Sequence, residues 1–249
     1  MFNQRRLEMR KWALIAACLF LVAGTAFGAG SIISSFRSPS GYVMGMGYYS
    51  PYIYHADYTN SRICVTNTAG SLVRTMSSPS GTLGCDFDGT YYWVASYSGT
   101  RLYQLTSTGS TVRSWSVPAS PYGITFDGTY VWYSSARSGN MIYQYTSVGS
   151  LIKSMSGPGS FNGGLDWANG YLWIGNWPGT NDGVYRLTTA GSVVESYVPV
   201  PSGGRSAGVA WDGGYLWYSN YSNSYVYKID TVLTSIVPTS LGKIKSVYR

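Results

Sequence analysis

Of the eight aspartates in this 249-residue chain, two stand where chemistry could be done. Asp88, Asp127 and Asp212 each precede a glycine at the same recurring hairpin, a turn position that aspartate fills for local backbone reasons. Asp86 and Asp166 differ. They share a position inside a strand-like segment whose other copies hold Gly47, Thr125 and Ala210. Two carboxylates facing one channel suit a hard cation such as Ca2+, its shell completed by carbonyls and water. They also suit a general acid and base. Hydrogen bonding to the neighbouring backbone is the plainer role, and the expected one.

A second set of residues points to recognition. After one strand of each repeat come Tyr58, Tyr97, Ala136, Trp177 and Tyr221, preceded by Asp57, Ser96, Ser135, Asn176 and Asn220. Flat aromatics beside short polar side chains stack on sugar rings or anchor proteins. Tyr58, Tyr97, Trp177 and Tyr221, with Asn176 and Asn220, are therefore the expected ligand-binding set. The partner class is a glycan or an extracellular protein. The alternative is that each aromatic caps its own repeat.

The elements that position these residues form a repeat. Gly-Ser pairs begin at Gly30, Gly70, Gly109, Gly149 and Gly191, about forty residues apart, a period typical of propellers and other arrays. In the copy from Pro121 to Pro158, Tyr122–Phe126 and Tyr130–Ala136 flank an Asp127-Gly turn. Met141–Thr146 and Leu151–Ser156 complete a four-stranded antiparallel meander. Trp93, Trp132, Trp173 and Trp217, with Tyr54, fill one column. Phe87, Phe126, Trp167 and Trp211, with Tyr48, fill another, and both columns are expected between adjacent sheets.

The first three strands recur five times and the fourth six times, from Ser31–Arg37 to Val232–Val237. The expected fold is all-β: a β-propeller of five blades, each of four antiparallel strands. The N-terminal fourth strand joins the fifth blade, displacing Val232–Val237 or lying beside it, since an open ring leaves edges exposed. Six blades or an incompletely closed ring are the alternatives.

The ends and the composition narrow the class. Arg5, Arg6, Arg10 and Lys11 precede the apolar run Trp12–Ala23, and Ala26-Phe-Gly28 supplies small residues for cleavage. Residues 1–28 read as a signal peptide, 29–238 as the propeller and 239–249 as a tail. Of 17 basic and 10 acidic residues, residues 1–28 hold four and one; the remaining 13 and nine leave +4. The cations are scattered, so nucleic acid is excluded as a partner. Export without stable membrane insertion is expected, to the periplasm, cell surface or exterior. Cys64 and Cys85 are expected as buried thiols.

The pattern Pro121-Tyr-Gly-Ile-Thr-Phe-Asp-Gly-Thr-Tyr-Val-Trp132, followed by Met141-Ile-Tyr-Gln-Tyr145, resembles secreted bacterial propellers of the NHL and YVTN-repeat group. The resemblance covers nearly all of the chain after residue 28 and implies the propeller fold. Streptogramin lyases have a similar repeat but work with a metal, acidic residues and histidine. This chain has one histidine, His55, within an aromatic strand where a structural role is expected. Gluconolactonase-type propellers hold a cation with a Glu/Asn/Asp set, whereas the one glutamate beyond residue 28 here is Glu195, on an outer strand. The expectation is thus an exported, non-enzymatic binding module. The alternative is a metal-dependent lyase or hydrolase centred on Asp86 and Asp166.

Overall fold

The meander recurs five times around a ring. The structure, a computed structural model, describes residues 27–29, 31–135, 139–176, 183–198 and 206–231. β1 (Phe27–Ala29) and β2 (Ser31–Arg37) precede the first blade. Blade 1 is β3 (Val43–Tyr49), β4 (Tyr52–Asp57), β5 (Arg62–Asn67) and β6 (Leu72–Ser77). Blade 2 is β7 (Thr82–Phe87), β8 (Tyr92–Ser96), β9 (Arg101–Leu105) and β10 (Thr111–Ser116). Blade 3 is β11 (Pro121–Phe126), β12 (Tyr130–Ser135), β13 (Met141–Thr146) and β14 (Leu151–Ser156). Blade 4 is β15 (Asn162–Ala168), β16 (Tyr171–Asn176), β17 (Gly183–Leu187) and β18 (Val193–Val198). Blade 5 is β19 (Ser206–Trp211), β20 (Leu216–Asn220) and β21 (Tyr225–Asp230). The fold is a five-bladed β-propeller.

The N-terminus closes it. β2 pairs antiparallel with β21, from Ser31 opposite Asp230 to Arg37 opposite Tyr225, and supplies the fourth strand of blade 5. Val232–Val237 and the tail lie outside the described residues, as do residues 1–28, expected as a signal peptide, except Phe27 and Gly28. Those two belong to β1, which pairs parallel with β18 on the outside of blade 4.

The Asp-Gly turns do more than reverse the chain. Asp88 Oδ1 accepts the N–H groups of Thr90 and Tyr91, while Gly89 takes the positive φ (96°) that the turn requires. Its Oδ2 accepts the Trp93 indole N–H at 2.8 Å. Asp127 holds Trp132 and Asp212 holds Trp217 in the same way. One side chain thus sets the hairpin and orients the indole five residues on. Tryptophans of this column fill the gaps between blades: Trp93 stacks on Phe126 and Trp173, which no turn aspartate holds, on Trp211, each with centroids 4.8 Å apart. Cys64 and Cys85 are unpaired and buried.

At the ring's centre the five innermost strands, β3, β7, β11, β15 and β19, carry Gly45, Gly84, Gly123, Gly164 and Gly208 at one level. A Cβ on Gly45 would lie 2.6 Å from the Leu83 carbonyl oxygen, and one on Gly164 would lie 2.6 Å from the Gly208 Cα. On Gly84 it would fall on the Tyr122 carbonyl oxygen, and on Gly123 on the Leu165 nitrogen. Each glycine lets its strand press against the backbone of the next. Ser219 Oγ accepts the Gly208 N–H and donates to the Val43 carbonyl at 2.8 Å, tying blade 5 to blade 1 at this level. Ser134 joins Gly123 to the Gly163 carbonyl of blade 4 likewise.

Gly84→Ala is expected to cost about 3 kcal/mol, because its methyl meets backbone that cannot yield. Gly41→Ala, with nothing within 4 Å, is expected to stay within about 0.5 kcal/mol of the parent. Urea unfolding of both variants checks the contrast.

Candidate active site at a channel mouth

Two cavities open at opposite ends of the innermost strands. The first, about 680 Å3, takes Met44, Leu83 and Tyr122 from the strand starts, and Tyr42, Tyr58, Tyr97 and Tyr221 from the loops. Tyr58, Tyr97 and Tyr221 thus share one bowl, as their spacing suggests. Trp177 and Ala136 lie outside the described residues. Asn176 and Asn220 are not in the bowl: they are buried, and their Oδ1 atoms accept the Phe161 and Ser222 N–H groups. Ser96 turns its hydroxyl to the Ser80 carbonyl, and Asp57 binds the Arg62 guanidinium and Asn60. The expected polar partners are taken up by backbone and side chains nearby: Asp57 and Asn220 by their own hairpins, Ser96 and Asn176 by the loops that enter their blades.

The second cavity, about 640 Å3, lies at the strand ends. Asp86 and Asp166 line it, among Tyr48, Phe87, Phe126, Trp167 and Trp93, with Asp88, Asp127 and Gln104. The two carboxyls are thus brought to one cavity. Both are nearly buried, at 7% and 5% exposure. Room for Asp86 depends on its neighbour, since a Cβ on Gly47 would lie 2.8 Å from Asp86 Oδ1.

The two carboxyls are held differently. Asp86 Oδ1 accepts its own neighbour's N–H, from Phe87, at 2.7 Å. Its Oδ2 reaches the next blade, accepting the Thr125 hydroxyl at 2.9 Å and the Phe126 N–H at 3.0 Å. Asp166 Oδ2 accepts the Trp211 N–H of its next blade at 2.6 Å. Burial raises both pKa values above the usual carboxylate range. For Asp86 three donors, led by the Phe126 N–H, work against burial. For Asp166 burial is joined by the charge of Asp86, which pushes it well up, against only the Trp211 and Trp167 N–H groups. Asp86, with more donors turned to it, is thus the better equipped of the two to carry charge, and Asp166 to hold a proton.

His55 belongs to neither cavity. It is fully buried, 2.8 Å from Thr66 Oγ1 through Nε2 and edge-on to Phe36, and burial lowers its pKa to about 3. Glu195 lies on the outer strand β18, paired with Arg186 at 2.8 Å and accepting the Tyr197 hydroxyl. Among the described residues no three His, Cys, Asp or Glu side chains gather as a metal-binding group. One feature escaped sequence reasoning: Gln104, on β9, faces the second cavity. Its column also holds Gln144, Arg186 and Lys228 in the later blades, so residue type alone does not single it out.

No protein-family model and no curated protein matches the sequence. Solved structures do. Myxococcus xanthus glutaminyl cyclase is similar with a TM-score of 0.68 and 13% identity, over 81% of this chain and 96% of that one. Virginiamycin B lyase from Staphylococcus aureus gives 0.52 and 17%, over 79% and 83%. A streptogramin B lyase gives 0.52 and 17%, over 80% and 69%. Identities this low show the fold alone. The expectation of a non-enzymatic binding module is nonetheless corrected, because these structural neighbours are enzymes.

The pH dependence of stability has two opposed parts. Unfolded His55 takes up a proton near 6.5 that the folded chain refuses until about 3, so stability falls as pH drops between those values. Asp166 acts with the other sign. The unfolded chain loses that proton near 3.8 and the folded chain keeps it, so stability is lost as pH rises through the folded pKa. Asp166→Asn removes the titrating group and is neutral at every pH. In chemical denaturation it is expected to be more stable than the parent at about pH 8, the gap shrinking toward about pH 4.

Proposed function

We propose that the protein is an enzyme whose reaction centre is the Asp86–Asp166 mouth, using the two carboxyls as general base and general acid. The observation that carries this reading is the unequal holding of the pair at the floor of a ligand-sized cavity. Asp86, with three donors, takes a proton from an attacking or eliminated atom. Asp166 gives its proton to the departing group. The pair then resets through solvent, so each turnover takes one proton and returns one. Cyclisation with expulsion of a leaving group and elimination both need that exchange, and a cyclase and lyases are among the enzymes that share this fold.

A proton suits the pair better than Ca2+. Three N–H or O–H donors already point at Asp86, and a donor N–H points at Asp166 Oδ2. A hard cation requires oxygen lone pairs turned to it instead. The protein is further proposed to be exported after removal of its first 28 residues, and to be of the NHL/YVTN type. The Gly-Ser-punctuated repeat and the basic, apolar N-terminus support that part of the reading.

The test uses two probes: the peptide Gln-Phe-amide, followed by ammonia release, and quinupristin, followed by mass spectrometry. The expected result is turnover of one of them. Asp86→Asn and Asp166→Asn should each lower kcat about 100- to 10,000-fold while the fold is retained. Dialysis against a chelator should leave the rate unchanged. Turnover that survives Asp86→Asn would sink the acid–base reading, and loss of activity on chelation would move the chemistry to a cation.

A further inference from the structure

The repeat supplies its own comparison for the second cavity. In blade 5, Asp212 Oδ1 accepts the Gly214 and Tyr215 N–H groups and its Oδ2 accepts the Trp217 indole N–H. Lys228, directly opposite Trp217 in register, fills the corner these residues make. Its Nζ lies 3.2 Å from Asp212 Oδ2, 4.0 Å from the Tyr215 ring centre and 5.0 Å from that of Trp217. A carboxylate and two ring faces around a primary ammonium make a charge-assisted, cation–π site.

Blade 2 builds the same corner without its cation. Asp88 holds the Tyr91 N–H and the Trp93 indole by equivalent bonds. The residue opposite Trp93 is Gln104. Blade 3 also sets a glutamine, Gln144, opposite its tryptophan, but there Lys153, bonded to the Thr189 carbonyl, still brings its Nζ to 5.3 Å from the Trp132 ring; in blade 4 the Arg186 guanidinium is 4.6 Å from the Tyr171 ring. Around Trp93 no described cation takes that place, and Arg113, opposite Gln104, reaches instead to the Ser147 carbonyl at 3.4 Å.

Two further observations mark the corner as a site. Asp88, Tyr91, Trp93 and Gln104 all line the cavity that holds Asp86 and Asp166. Gln104 is 94% buried, and its Oε1 has no hydrogen-bond donor. A buried acceptor without a donor is costly unless a ligand satisfies it. From Asp88, Tyr91 and Gln104 we infer a subsite for a primary ammonium group, carried by the substrate of the neighbouring carboxyl pair. The cavity's side chains include four aspartates and no lysine, arginine or histidine, which favours a cationic ligand end. The substrate class is thus an amine, such as a free amino terminus or an alkylamine, whose reacting bond lies beside Asp86. The assignment of the amine as substrate rests on the catalytic reading; the subsite itself does not.

Calorimetric titration of the full protein with phenethylammonium and its neutral counterpart 2-phenylethanol tests it. Phenethylammonium should bind about tenfold or more tightly than the alcohol, as a desolvated cation–π contact with a charged acceptor allows. Gln104→Lys, which restores the blade 5 arrangement, should abolish amine binding and leave the thermal midpoint equal or higher. Gln104→Leu, which removes the acceptor without adding charge, should weaken the amine about threefold to tenfold. Equal binding of amine and alcohol, or unchanged amine affinity in Gln104→Lys, overturns the subsite. Asp166→Asn separates the two readings. Amine binding kept alongside full turnover rejects the catalytic role and leaves the subsite standing, whereas turnover lost in that variant with no amine preference in the parent does the reverse.

Discussion

Backbone contact at the ring's axis is the constraint on which the rest depends. Five sheets arranged around one axis bring their innermost strands closer than side chains allow, and Gly45, Gly84, Gly123, Gly164 and Gly208 make that approach possible. One level along, side chains return, and there the copies diverge into Gly47, Asp86, Thr125, Asp166 and Ala210. The two carboxyls are crowded, buried and electrically coupled because the ring above them is so tight. Their shifted proton affinities follow from the blade number as much as from the aspartates themselves.

Ordinary turn residues supply the next layer of order. An aspartate that caps its own hairpin and also grips an indole five residues on converts local sequence into inter-blade geometry. The fold was therefore readable from short-range chemistry. Asp-Gly turns, alternating apolar strands and the Trp column each report on neighbours within a few residues, and the surplus fourth strand announced the closure by β2.

The site was readable only in part, and for a definable reason. Asp86 and Asp166 stood out because they interrupt a column of small residues, and the structure places both at one mouth. Asn176 and Asn220 looked available in sequence, yet nearby backbone claims them: the loop entering β15 for Asn176 and its own hairpin for Asn220. Such capture depends on turn geometry, which residue type alone does not disclose. Gln104 went unremarked because a glutamine among polar strand residues is unexceptional. Its meaning comes from the register that sets it opposite Trp93, where Lys228 stands opposite Trp217.

The pairing of β2 with β21 also orders the protein's assembly in time. Residues 31–37 wait for residues 225–230, so a strand made near the start is among the last to find its partner. The four antiparallel strands of each of blades 1 to 4 come from neighbouring segments of chain, with β1 added to blade 4, but those of the fifth span almost the whole described length. Loop closure over that distance slows the final step, and until it occurs blades 1 and 5 lack the bond that joins Ser219 to Val43. The closed ring is therefore an all-or-nothing product of a completed chain, and a fragment ending before β21 leaves an unpaired edge on β2 for other chains to find.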